Sequence, residues 1–81
     1  MRVTVVGLGP GAGADLTGRA RAALEECDLI VGYTAYVDLI KDEFSHKPVR
    51  STGMRREVDR CRLAVEEALT GKHVAVVCSG D

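Results

Sequence analysis

The sequence predicts an α/β domain built on a mainly parallel sheet flanked by helices. Two observations carry that prediction. Short, β-branched apolar runs recur at Arg2–Val6, Leu29–Val31, Val49–Ser51 and His73–Cys78, and the segments between them place apolar residues at helical spacing. Strands that alternate with helices through short connections form parallel sheets with right-handed crossovers.

Arg2–Val6 is a β-branched run that stops at Gly7, and Gly7-Leu8-Gly9-Pro10-Gly11-Ala12-Gly13 that follows has the composition of a loop. Asp15 is placed to cap a helix over Leu16–Cys27, where Leu16, Ala20, Leu24 and Cys27 recur at helical spacing. Leu29-Ile30-Val31 is apolar on both faces, as a strand inside a parallel sheet must be. A short helix is expected over Thr34–Phe44, broken by Ser45–Pro48, and a brief third strand over Val49–Ser51. Met54, Val58, Cys61, Val65 and Ala68/Leu69 then form a long apolar stripe of period 3.6, which predicts a helix with that stripe in the core. Gly71 stands where a C′ glycine ends such a helix, and His73–Cys78 is a strand running into Ser79-Gly80-Asp81.

At 81 residues the chain holds one domain at most, and a domain of this size buries only ~60% of its unfolded surface. Apolar residues at 46% and charged residues at 28% belong to a globular chain rather than a disordered or fibrous one. A net charge of -1 provides no global field for nucleic acid or an anionic membrane. Without an apolar run of ~20 residues or a signal-like start, the expected location is cytoplasmic. Cys27, Cys61 and Cys78 lack C-x-x-C spacing and read as core thiols, not as a disulfide framework or zinc site. His46 and His73 have no partner at ligand spacing, and no metal site is expected.

Gly7-x-Gly9-x-x-Ala12 fits a loose dinucleotide fingerprint, but the second strand ends Ile30-Val31-Gly32-Tyr33 without the carboxylate that would hold a ribose. A phosphate-cradling loop needs Lys and then Ser/Thr after its last glycine, where this chain has Ala14 and Asp15. A tight turn that merely uses glycine's freedom at positive φ remains open. Lys47, Arg50, Arg55, Arg56, Arg60 and Arg62 form a basic stretch suited to ligand carboxylates, although a solvated helix face diluted by Glu57 and Asp59 accounts for it slightly better. The stretch is too small for nucleic acid and carries no interleaved aromatic residues.

The longer string Val5-Val6-Gly7-Leu8-Gly9-Pro10-Gly11, followed by Asp15-Leu16-Thr17, resembles the opening of the S-adenosylmethionine (SAM)-dependent tetrapyrrole methylase family. Ser79-Gly80-Asp81 resembles the start of that family's Gly-Asp-Pro signature, so the likeness spans the chain. Val31-Gly32-Tyr33-Thr34-x-Tyr36-Val37-x-Leu39-Ile40 and Ser51-Thr52-Gly53-Met54 with Glu57 are similar to the family's corrin branch. The resemblance implies the N-terminal α/β domain (residues 1–81) of a two-domain methylase fold, with SAM as methyl donor, a tetrapyrrole precursor of cobalamin as substrate, and a homodimer when full length. It implies SAM contacts at Gly9, Pro10, Gly80 and Asp81, and tetrapyrrole contacts at Gly11, Tyr33 and Tyr36. For each tyrosine ordinary packing is an equal alternative, and no catalytic base is assigned. A family member with a different substrate and a non-catalytic α/β binding module are the competing readings.

Overall fold

The computed structural model describes residues 2–9 and 16–79. In chain order the elements are β1 (Arg2–Gly7), α1 (Gly18–Glu26), β2 (Leu29–Tyr33), α2 (Thr34–Ile40), β3 (Val49–Thr52), α3 (Glu57–Leu69) and β4 (His73–Cys78). The strands form one sheet in the order β1-β4-β2-β3, and every neighbouring pair is parallel. The steps from β1 to β2 and from β2 to β3 cross the sheet in one direction and the step from β3 to β4 returns. With right-handed crossovers α1 and α2 must then share one face and α3 must take the other.

The core divides in that way. On one face Val6, Ile30, Ala75 and Val77 of the sheet pack with Leu24 of α1, Val37 and Ile40 of α2, and Phe44. On the other, Leu29, Val31 and Val74 pack with Ala64 and Ala68 of α3. Burying a large side chain such as Leu24 or Phe44 contributes ~1.5–3 kcal/mol.

Four details of the structure differ from the sequence expectations. First, α1 is shorter than Leu16–Cys27, and its cap is Thr17, whose Oγ1 accepts from the Ala20 amide at 3.1 Å. Asp15 lies outside the described residues. At the other end Lys47 reaches across and its Nζ donates to the carbonyls of Glu25 (2.5 Å) and Cys27 (2.8 Å), a cation at the negative pole of the helix. Second, α2 stops at Ile40; residues 41–46 turn, and Phe44 is buried from within that turn.

Third, of the apolar stripe predicted for the long helix only Ala68 faces the core. α3 begins at Glu57, so Met54 precedes it and is 67% exposed, while Val58 (71%), Val65 and Leu69 (68%) are exposed as well. The buried side is Ala64 and Ala68, with Leu63 partly covered. Small side chains at those positions let the helix lie close against Val31 and Val74. Fourth, only Cys27 is a core thiol: Cys61 is exposed and Cys78 half-buried. Burial pushes the Cys27 thiol above its ordinary range, against a smaller opposing pull from the Lys47 ammonium. The Gly71 prediction holds, with φ 103° directly after the cap of α3.

Gly32 of β2 lies opposite Val77 of β4 and against Val37 of α2. A Cβ there would stand 2.3 Å from Val77 Cγ2 and 3.2 Å from Val37 Cγ2. Gly32→Ala should therefore destabilise the fold by ~1–3 kcal/mol in urea unfolding, and the loss should shrink in a Val77→Ala background; simple additivity would contradict the contact. With Ellman's reagent on the native protein, Cys61 should react promptly and Cys27 only on unfolding, because the buried, raised thiol holds its proton.

Candidate functional site at the carboxyl edge of the sheet

All four strands end at one edge, because all four run the same way. The ladder continues past β1 and β4: the Leu8 amide donates to the Cys78 carbonyl and the Gly9 amide to the Ser79 carbonyl, both at 2.9 Å. This brings the glycine turn and the chain after β4 side by side. Gly9 has φ 75°, a left-handed conformation that glycine takes without strain, and among the described residues beyond its chain neighbours no atom lies within 4 Å of where its Cβ would be. At Gly9 the main chain is thus open among the described residues, as a ligand approached by backbone requires.

The other half of the edge lies at β2 and β3, paired Tyr33 to Thr52 at their ends. The chain leaves β2 toward the α2 face and leaves β3 toward the α3 face. The gap between the two exits is the topological switch point at which open α/β sheets bind ligands. A hollow of about 180 Å³ occupies it, lined by Tyr33, Tyr36, Met54, Arg55, Glu57 and Arg60. Tyr33 and Tyr36 stand edge to face, with centroids 5.2 Å apart and planes at 90°, since three residues across the start of α2 return to the same side.

Arg60 is the organising cation. Its Nε donates to Thr52 Oγ1 at 2.8 Å, its Nη2 to the Gly53 carbonyl at 3.4 Å, and its guanidinium carbon lies 5.9 Å from the Tyr33 ring centre. Thr34 Oγ1 donates to the Thr52 carbonyl at 3.1 Å, closing β2 onto β3 beside it. The arrangement holds a rigid aromatic wall with positive charge behind it, suited to a flat, electron-rich, anionic ligand.

The sequence-predicted site residues thus fall in two groups. Gly9 sits beside Ser79, and Tyr33 sits beside Tyr36 in the hollow. Pro10, Gly11, Gly80 and Asp81 lie outside the described residues. Sequence reasoning missed Arg60 by assigning the basic stretch to a solvated face. The available signal was its spacing of four and eight from Ala64 and Ala68, which puts it on the sheet-facing side of α3, one turn from the strand ends. The rest of the stretch is scattered: Lys47 caps α1, and Arg56 pairs with Asp59 at 2.6 Å.

Other polar groups serve the framework. His73 Nε2 lies 2.8 Å from Thr4 Oγ1 and His46 Nε2 lies 3.3 Å from Glu25 Oε2. Among the described residues no group of three or more His, Cys, Asp and Glu is placed to hold a metal, and no helix is long and apolar enough to cross a membrane. A second hollow, of about 150 Å³, borders Thr4, Val5, Thr17 and Arg19 beside the outer strand β1, away from the switch point.

The family model for tetrapyrrole (corrin/porphyrin) methylases matches residues 2–81. The chain belongs to the tetrapyrrole methylase family. Among curated methylases, the cobalt-factor III methyltransferase of Priestia megaterium is 46% identical over 80 residues, which cover 99% of this chain and 15% of that protein. A probable cobalt-factor III C(17)-methyltransferase of Salmonella typhimurium is 43% identical over 79 residues, covering 98% and 33%. A crystal structure of the methyltransferase CobJ superimposes with a TM-score of 0.85 at 44% identity, covering 99% of this chain and 33% of that one. The chain therefore spans a third or less of the methylases it matches, and it shares their fold over that span.

Replacing Arg60 with methionine should cost ~0.5–1 kcal/mol of stability through the lost contact with Tyr33 and alter the near-ultraviolet tyrosine circular dichroism; an unchanged tyrosine signal would count against the stacked geometry.

Proposed function

We propose that the chain forms the N-terminal domain of a SAM-dependent C-methyltransferase of cobalamin biosynthesis, which methylates carbon 17 of a corrin precursor (precorrin-3B or its cobalt-containing counterpart) with ring contraction. The observation that carries this is the aromatic and cationic hollow at the switch point, in a chain 43–46% identical to methyltransferases named for cobalt-factor III.

A complete small-molecule pocket measures ~300–1,000 Å³. The hollow here holds part of a ligand, and the remaining wall belongs to chain beyond this domain. In the proposal Tyr33 and Tyr36 lie against the macrocycle, their phenols within reach of its peripheral oxygens. The Gly9 turn and the backbone after β4 approach SAM, with Pro10, Gly80 and Asp81 contributing to the same contact and Gly11 turned to the tetrapyrrole. Bound there, SAM supplies an electrophilic methyl group on sulfonium. The protein's part is alignment: holding two reactants in attack geometry is worth up to ~7–11 kcal/mol, so no dedicated nucleophile or triad is needed.

Calorimetric titration of SAM and S-adenosylhomocysteine into the full-length protein containing this chain tests the assignment. Micromolar binding is expected, weakened by Pro10→Ala and Asp81→Asn. Gly9→Val should weaken it about tenfold, since a β-branched residue at positive φ costs ~1–2 kcal/mol. Failure of the intact protein to bind either nucleoside would overturn the cofactor assignment. The 81-residue chain by itself should show no turnover, and turnover would refute the two-domain reading.

A further inference from the structure

Arg55 combines three properties found together nowhere else among the described residues. It has φ 61°, the one left-handed backbone outside glycine. It lines the hollow at the switch point. Its guanidinium has no hydrogen-bond or ion-pair partner among the described residues, whereas its neighbours Arg56 and Arg60 are engaged by Asp59 and by Thr52 and Tyr33.

The backbone conformation makes the side chain informative. At positive φ glycine or asparagine is the comfortable residue, yet an arginine occupies the strained position. Strain of this kind persists where the surroundings or the function over-determine it. What the position gains from arginine is a free, planar, five-donor cation at the rim of a pocket whose floor is aromatic. Glu57, on the same rim, repels an anion at its own side, while the Arg60 guanidinium is held by Thr52, Gly53 and Tyr33 and the Arg55 donors are left uncommitted.

We propose that Arg55 is a specificity-determining residue that grips a peripheral carboxylate of the tetrapyrrole by a bidentate pair, orienting the macrocycle on Tyr33 and Tyr36. The assignment rests on the tetrapyrrole reading of the site. It requires the ligand to be not merely flat but acidic at its rim.

The test uses the full-length protein and two porphyrin probes, octacarboxylate uroporphyrin and dicarboxylate mesoporphyrin, with affinity read by porphyrin fluorescence anisotropy. Arg55→Gly removes the guanidinium while relieving the backbone. It should melt no lower than the parent, bind uroporphyrin at least about tenfold more weakly with a shallower salt dependence, and retain SAM affinity. Arg55→Lys, which keeps charge but not the fork, should fall between, and Glu57→Gln should tighten uroporphyrin. If the parent binds uroporphyrin and Arg55→Gly binds it equally well, the role of Arg55 is refuted and the tetrapyrrole site stands. If the parent binds neither porphyrin, the tetrapyrrole reading fails and the role of Arg55 with it.

Discussion

The common direction of the four strands is the constraint on which the site depends. Because every pair is parallel, the ends of β1, β4, β2 and β3 line one edge, and three spacings of ~4.8 Å give that edge a width of ~14 Å. Reversing β1 would have sent the glycine turn, and reversing β2 the tyrosine pair, to the opposite edge. The two edges divide their tasks. At the amino edge, Asp28 Oδ2 accepts from the His73 amide and the Asp28 amide donates to the His73 carbonyl, both at 2.8 Å, and Thr4 and Lys47 add their bonds beside them. The carboxyl edge carries instead a glycine at positive φ, an aromatic pair and an arginine in a left-handed conformation.

The two faces of the sheet are packed by different means. Toward α1 and α2 the filling is bulky, with Leu24, Ile30, Ile40 and Phe44 almost fully covered. Toward α3 the contact is made by Ala64 and Ala68, so the helix lies close and its first turn is carried to the strand ends. That is how Arg60 comes to rest beside Tyr33 while remaining on the same helical side as the alanines. Among the described residues no buried side-chain nitrogen or oxygen lacks a partner, so the polar groups at the edge are spared the cost of unsatisfied burial.

Fold class, strand positions and the tyrosine pair were legible in the sequence because their signals are local: β-branched runs closed by glycine, and two aromatic residues three apart after a strand. The orientation of α3 was not. Valine and leucine outweigh alanine in any apolar count, so Val58, Val65 and Leu69 masked the alanine side that the sheet selects for closeness. The same error hid the arginines, since basic residues at helical spacing look like a wetted surface unless the helix is already turned the right way. The termini of α1 show a milder case. Asp15 and Thr17 are both competent caps, and spacing alone does not choose between them; the C-terminal partner, Lys47, lies 22 residues from Glu25 and leaves no local trace.

The placement of β4 also shapes the order in which the protein can fold. β1 and β2, the first two strands in sequence, never touch; β4 comes between them, and the Thr4 to His73 contact joins residues 69 positions apart. Early in folding only β2, α2 and β3 can assemble from neighbours, while the valine-rich β1 has no strand to pair with among the described residues until β4 arrives. Loop closure of that span must precede any reward for it, which makes sheet completion the slow step. During synthesis β1 emerges well before β4, its partner in the sheet, and for that interval it is an open, apolar template for unwanted pairing.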